Sequence, residues 1–403
     1  MPTTFSSQPY KGTRDFYPEN LQKRNYIFNK WRETLVKFGF LEYETSLLEN
    51  AEIYIAKSGD ELGGKQLYNF YDKGDRFVAL RPEQTPSLAR IVANKFGDLK
   101  FPLRWFSIPN CFRYEQPQKG RFREHWQLNV DIIGLQAGGA ELEIMNILAE
   151  LFKSFGATKN EFKIMYNHRE VLDIWLVEAG LGEKKSLVYA VLDDWFKLSL
   201  EDNKSKLAKG NDEIPGLTDP EIQTIVELTQ KTGNSWEKYL KIAHTFPEIE
   251  LLLNSVSKIQ PDVEFDFNPC IIRGIAYYTG VVFEAFDKNP ANHRALFGGG
   301  RYDNLMELFD KKAPAIGFGF GDATMNEFLT NWNLWPDFEN IQIVRVGLMP
   351  FSDSDLVKIY NDIIPKLRTE GKTWEIDYDY QRNEEKRWIS LKKRGCIEVL
   401  KLN

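Results

Sequence analysis

Residues 121 to 131 alternate in character. Arg121, Arg123, His125, Gln127, Asn129 and Asp131 are interleaved with Phe122, Trp126, Leu128 and Val130, and only Glu124 breaks the order. A β-strand points successive side chains to opposite faces, so this stretch presents one wholly polar face and one mostly apolar face. The pattern predicts a strand flooring a polar site. Upstream, Trp105 to Glu115 reads as the partner strand, and Gln116-Pro117-Gln118-Lys119-Gly120 has the composition of a hairpin loop. Arg113 and Glu115 then stand beside the polar row.

Two explanations of that row stay open on the residues alone. Antiparallel sheets commonly face water on one side, so it fits a solvated face. It also fits an anion-binding site. A solvated face favours Lys, Glu and Thr, whereas this row mixes arginines and an imidazole with amides and a carboxylate. The rigid, always charged fork of arginine suits bidentate recognition of phosphate or carboxylate.

Longer blocks narrow the choice. Phe112-Arg113-Tyr114-Glu115, then Pro117 through Gln127, ending in Asp131-Ile132-Ile133-Gly134, resembles motif 2 of the class II aminoacyl-tRNA synthetases in its histidyl form. Tyr10-Lys11-Gly12-Thr13-Arg14-Asp15 resembles the amino-terminal signature of that family, and Leu80-Arg81-Pro82-Glu83-Gln84-Thr85 its first histidine-binding loop. Arg273-Gly274-Ile275-Ala276-Tyr277-Tyr278-Thr279-Gly280 is similar to a block of histidyl enzymes and their close paralogues.

The resemblance implies an α+β fold, with the antiparallel sheet of a class II synthetase flanked by helices over residues 1–330, a helical insertion at about 168–262 and a small α/β domain over 341–403. It also implies a reaction in which the carboxylate of L-histidine attacks the α-phosphate of ATP, with Mg²⁺ on the other phosphates, and the histidyl group passes to histidine tRNA. Arg113 and Arg273 would stabilise charge on the α-phosphate, and Glu115, Arg121 and His125 would join them around ATP. Glu83, Thr85 and Gln127, with Gln84 beside them, would hold the α-amino group; Asp131 and Tyr278, next to Tyr277, would read the imidazole. A homodimer built on motif 1 is implied as well. An alternative is a non-catalytic, histidine-binding regulatory subunit of a histidine-biosynthetic enzyme.

The chain also departs from the family pattern. Ser46 stands where motif 1 has proline, His125 where a phenylalanine covers adenine, and Gln116 where the loop facing the tRNA end has arginine. Ala276 replaces an aspartate, and Gly317-Phe318-Gly319-Phe320-Gly321-Asp322-Ala323-Thr324 ends in Thr324 where motif 3 ends in an arginine stacked on adenine. Both sides of the nucleotide sandwich differ together, which suggests a distinct subtype.

Composition bounds the rest. A chain of 403 residues, 42% hydrophobic and 14% aromatic, has the material for two or three domains with a large core. Cys111, Cys270 and Cys396 are scattered and odd in number, and the four histidines form no metal-ligand pair, so neither a disulfide framework nor a zinc site is expected and no metal residue is assigned. No apolar run approaches the roughly 20 residues of a membrane span, and Met1 to Gln8 lack a signal-peptide pattern, which fits a cytoplasmic protein. The net charge of −6 argues against indiscriminate nucleic-acid binding. It is unevenly spread: residues 341–403 carry twelve Lys and Arg against ten Asp and Glu.

Locally, Leu21, Phe28, Trp31, Leu35 and Phe38 predict an amphipathic helix over Glu19 to Phe38, stopped by Gly39. The last segment reads as strand (Ile343 to Leu348), helix (Asp353 to Arg368), strand (Thr373 to Tyr378), helix (Glu384 to Lys393) and strand (Ile397 to Leu400), short of the final strands and helix of the family's anticodon-binding module.

Overall fold

The computed structural model describes residues 6–56, 65–117, 120–211, 213–272, 278–290, 292, 295–338, 345–379 and 382–402. Contacts divide the chain into two units, Met1–Leu334 and Trp335–Asn403.

The first unit opens with α1 (Pro18–Lys37), which carries Pro at its first turn, where a missing N–H costs nothing, and buries Ile27, Phe28, Trp31 and Leu35. Gly39, at φ +78°, takes the left-handed conformation that ends it. Short strands β1 (Leu41–Glu42) and β2 (Leu48–Asn50), helix α2 (Glu52–Ile55), and strands β3 (Tyr68–Tyr71) and β4 (Phe77–Leu80) lead to α3 (Thr85–Asn94). Next come β5 (Leu103–Ser107), β6 (Asn110–Phe112), β7 (Glu124–Ile133), α4 (Gly139–Lys153) and β8 (Phe162–His168).

A helical stretch follows: α5 (Arg169–Glu178), α6 (Lys185–Asp193), α7 (Leu200–Lys209), α8 (Asp219–Gln230), α9 (Gly233–Ala243) and α10 (Pro247–Ile259). The chain then returns to the sheet through β9 (Glu264–Phe267), β10 (Val281–Asp287), β11 (Ala295–Arg301) and β12 (Ala315–Gly321), and α11 (Asp322–Asn331) closes the unit.

The main sheet runs β1-β5-β7-β12-β11-β10-β8-β9, with β6 also on β7; β2, β4 and β3 form a separate three-stranded sheet. All pairs in the main sheet are antiparallel except β1 with β5 and β8 with β9 at its edges. The apolar residues of β7 join Phe318, Phe320, Phe297 and Phe283 on the rear face. There Trp31 of α1 and Phe152 of α4 lie 5.4 and 5.5 Å from the Phe320 ring. Fully burying one such side chain contributes roughly 1.5–3 kcal/mol, so this face holds the helices to the sheet.

The hairpin is shorter than its alternation predicts. β7 starts at Glu124, so Arg121 and Arg123 precede it, and Arg113 and Glu115 lie beyond the end of β6. The cause is the amino-terminal segment. Gly12 O accepts from the backbone N–H of Arg123 (2.7 Å) and of Glu124 (3.3 Å), diverting the chain from the ladder.

The second unit has a parallel sheet in the order β14-β13-β15: β13 (Arg345–Met349), β14 (Thr373–Ile376) and β15 (Glu398–Lys401). Between β13 and β14, α12 (Asp353–Lys358) passes through a π-helical turn at Ile359–Ile363 into α13 (Ile364–Thr369). Pro365 has no N–H for an ordinary helical bond, and a wider turn next to it accommodates that loss. The last helix, α14 (Glu384–Lys393), is N-capped by Asn383.

Candidate active site

The front face of the main sheet follows from its register. Asp131 pairs with Trp105 on one side and Gly317 on the other; Asn129 pairs with Ser107 and Gly319, and Gln127 with Gly321. Gly300 and Gly298 of β11 pair with Gly317 and Gly319. Two central strands therefore present glycine where side chains would stand, and the polar residues of β7 lie along the edge of the floor. The space is occupied by those neighbours: a Cβ on Gly317 would sit 2.3 Å from Asp131 Oδ1, and one on Gly319 would sit 1.9 Å from Gln127 Nε2. On Gly300 it would meet the Tyr278 ring at 2.8 Å.

One end of this floor is closed by an apolar cluster. Leu88, Ala89 and Val92 of α3 pack there with Tyr278, Tyr302, Leu305 and Met306, and Tyr43 and Trp105 lie against them. Asp131 is buried beside this cluster. The Tyr302 hydroxyl donates to its Oδ1, while Oδ2 has no partner among the described residues. Burial pushes the carboxyl up to about 7, with the Tyr302 bond acting the other way.

Glu83 and Gln84 are buried in the turn from β4 to α3, and Thr85 is the first residue of α3. The Gln84 carboxamide is engaged with Thr45, donating to and accepting from its hydroxyl at 3.0 and 3.3 Å. Arg81 is likewise structural, with bonds to Thr45 O (2.9 Å) and to Asn110 O (2.8 Å) and Oδ1 (3.0 Å). Arg113 reaches this turn, where its Nε donates to Pro82 O at 2.9 Å. Its terminal nitrogens have no protein partner among the described residues. Gln127 donates to Asn129 Oδ1 at 2.9 Å, so the polar row is partly tied to itself.

His125 lies further along β7, opposite Cys111. Burial, then the charges of Arg113 and Arg14, pull its pKa down to about 3, so its ring is neutral at physiological pH. The two arginines ahead of β7 both have partners within the protein. Arg121 is exposed and lies 3.5 Å from Glu115. Arg123 is packed between Tyr114 and Tyr10, 4.2 and 5.6 Å from the ring centres, and donates to Tyr10 Oη at 2.9 Å. Arg273 and Tyr277 lie outside the described residues.

Thr324, at the end of motif 3, donates to the carbonyls of Leu296 and Gly321, both at 2.9 Å. Nearby, Asp322 accepts from Arg14 at 2.9 and 3.1 Å and from the Trp126 N–H at 3.1 Å, joining the amino-terminal signature, motif 2 and motif 3. A cavity of about 510 Å³ lies on the rear side between α1 and α11, lined by Arg14, Phe16, Arg24, Phe122 and Asn326 among others. It is separate from the glycine-floored cleft.

Tyr43, Ser107 and Tyr302 belong to the cleft but were not singled out from the sequence. Only Tyr302 had a local signal, since it follows the glycine run and shares its strand end.

Residues 12–322 match the model of the family described as histidyl-tRNA synthetase. The chain belongs to the histidyl-tRNA synthetase family. A relative from Leptospira biflexa, named histidine–tRNA ligase, is 40% identical over 412 residues, covering 98% of this chain and 91% of its own. The fold is that of solved family members. A histidyl-tRNA synthetase from Nostoc sp. PCC 7120 has a TM-score of 0.76 at 22% identity, over 97% of this chain and 90% of its own. A protein from Bacillus halodurans, titled as an ATP phosphoribosyltransferase regulatory subunit/histidyl-tRNA synthetase, also has a TM-score of 0.76, at 21% identity over 100% of this chain and 99% of its own. Within the histidyl-tRNA synthetase frame, the glycine floor, Asp131 and Arg113 fall on the blocks that carry the family resemblance.

Proposed function

We propose that this chain activates L-histidine with ATP, releasing pyrophosphate, and transfers the histidyl group from the adenylate to the 3′-terminal ribose of histidine tRNA. It is a histidine–tRNA ligase. The observation that carries the reading is Asp131: a buried carboxylate on a glycine floor, with one oxygen held by Tyr302 and the other without a partner among the described residues. A ring N–H is the partner that oxygen lacks. Glu83, Thr85 and Gln127 hold the α-amino group in this reading, Asp131 and Tyr278 meet the imidazole, and Gln84 supports the turn through Thr45.

As the histidine carboxylate attacks, negative charge grows on the α-phosphate oxygens, and a preorganised cation there lowers the barrier. Arg113 is already anchored by Pro82 O, so little reorganisation is needed at the moment of reaction. Arg273 is its partner by resemblance. Glu115, Arg121 and His125 contribute to ATP binding, with the neutral His125 ring against adenine. Among the described residues no cluster of three or more His, Cys, Asp or Glu could hold a metal ion. Mg²⁺ enters the proposal only as a counter-ion of the nucleotide phosphates, and no step is routed through it.

The homodimer is part of the proposal, supported by exposed Val36 and Leu41 at the end of α1 and on the edge strand β1. So is a reducing compartment such as the cytoplasm, supported by three buried, unpaired cysteines. No helix among the described residues is long and apolar enough to cross a membrane. The second unit is proposed as the anticodon-binding module, and the helical stretch α5–α10 as lying near the tRNA acceptor arm.

Amino-acid-dependent exchange of pyrophosphate into ATP tests the reading. Histidine alone should support exchange, and Arg113→Ala should lower it by about a hundredfold or more with little change in histidine affinity. One observation favours a second reading as a histidine-binding regulatory subunit: the Thr324 hydroxyl satisfies backbone carbonyls where the ligase pattern has an arginine. Tight histidine binding without exchange on any amino acid would select it.

A further inference from the structure

Three polar atoms at the closed end of the cleft are buried and have no hydrogen-bond partner among the described residues: Tyr43 Oη, Ser107 Oγ and Asp131 Oδ2. They come from three separate segments. Ser107 is the residue of β5 opposite Asn129, on the face that carries Asp131. Tyr43 follows β1 and is fixed by its N–H bond to Phe106 O at 2.9 Å, with its ring 5.6 Å from that of Trp105. Burial first, and the Asp131 charge second, keep the Tyr43 hydroxyl protonated. Ser107 and Gln84 are its polar neighbours, yet neither closes a well-formed hydrogen bond with it.

The Gln84 carboxamide is bound to Thr45, and the other oxygen of Asp131 already accepts from Tyr302. Leaving a buried polar group unsatisfied is costly, so three around one point mark a place prepared for a polar guest.

We propose that Tyr43 and Ser107 are specificity-determining residues which, with Asp131, surround the side chain of the amino-acid substrate and require a ring that carries nitrogens. Asp131 Oδ2 accepts the ring N–H. The two hydroxyls, each able to donate and accept, complete the hydrogen bonds along the rest of the polar edge. A ring of the same size without nitrogens leaves all three groups buried and unsatisfied, and a site built to hydrogen-bond rejects such an analogue strongly. This inference rests on the reading of the cleft as a histidine site.

The test uses the full chain, with histidine and with thienylalanine, whose five-membered ring has no nitrogen. In pyrophosphate exchange, Tyr43→Phe and Ser107→Ala should each raise KM for histidine about tenfold or more, with most of the loss in KM rather than kcat. Both should narrow the preference for histidine over thienylalanine. Calorimetric titration of histidine without ATP should show the same weakening, and thermal melting checks that each variant is folded; if Tyr43→Phe is not, Ser107→Ala decides. Unchanged histidine affinity and discrimination in folded variants would overturn the proposal and leave the three atoms as hosts for a buried water. If the unaltered protein neither binds histidine nor exchanges with it, the parent reading falls and takes this one with it.

Discussion

Asp131, buried, and His125, partly buried, both on β7, titrate in opposite senses, and both senses follow first from desolvation. Asp131 is held at about 7, well above an unfolded aspartate near 3.8, so the folded chain binds this proton more tightly. Its contribution to stability is fully present below the unfolded value and is lost as pH rises through 7; a shift of about three units is roughly 4 kcal/mol at the upper bound. Asp131→Asn keeps the acceptor for Tyr302 and removes the charge. It should raise the melting temperature by a few degrees at pH 8 and hardly at all at pH 4, while histidine binding weakens. Equal melting shifts at both pH values would show that Asp131 is not the titrating group. His125 runs the other way: its pKa is lowered to about 3, so its contribution is present above the unfolded value near 6.5 and lost as pH falls toward 3. His125→Phe should therefore flatten the acid limb of the stability curve. It should also lower KM for ATP a few-fold, since a phenyl ring stacks on adenine without first being desolvated as a polar group; an unchanged acid limb in thermal melts would refute the first expectation.

At the scale of the element, the cleft is made by what β11 and β12 lack. Gly317, Gly319 and Gly321 alternate with Ile316, Phe318 and Phe320, so the same period of two that packs the rear face clears the front one. Gly319→Ala would bring a methyl to within 1.9 Å of Gln127 Nε2. The neighbour is a side chain able to move, so the fold should survive while Gln127 is displaced. KM for histidine should rise by about tenfold or more with the melting temperature changed by only a few degrees, and an unchanged KM would remove Gln127 from the substrate site. This pattern is visible in the sequence, as are the polar row of β7, helix α1 and the strand and helix order of the second unit, because each is a local periodicity. The identity of the residues that use the polar row for substrate is not. Arg123 is taken by Tyr10, Gln84 by Thr45 and Asp131 by Tyr302, partners separated by 113, 39 and 171 positions, and no local pattern specifies such pairings. Tyr43 and Ser107 carry no local signal for the same reason: their hydroxyls gain meaning only once β1 lies on β5 and β5 on β7.

Across the whole molecule, each unit has its own core. The second gathers Val346, Leu348, Ile359, Ile364, Leu367 and Ile376 around its parallel sheet. Its Arg387 is fully buried, donating to Pro350 O at 2.7 Å and to Asp377 O at 2.9 Å, and its Nε lies 3.3 Å from Asp377 Oδ1, so the charge has a carboxylate partner within the unit. The first unit contains every described residue of the cleft. Activation needs a pocket for histidine and ATP, whereas transfer also needs the tRNA held in register, and the second unit, with twelve Lys and Arg against twelve Asp and Glu, carries none of the chain's net negative charge. A fragment of residues 1–334 should therefore fold, bind histidine and retain exchange within about tenfold of the full chain. Charging of histidine tRNA should fall by about a hundredfold or more, mainly through KM for tRNA and with a smaller dependence on salt. A folded fragment that binds histidine but has lost exchange would show that the second unit takes part in activation itself, and the division of labour drawn from the two cores would fail.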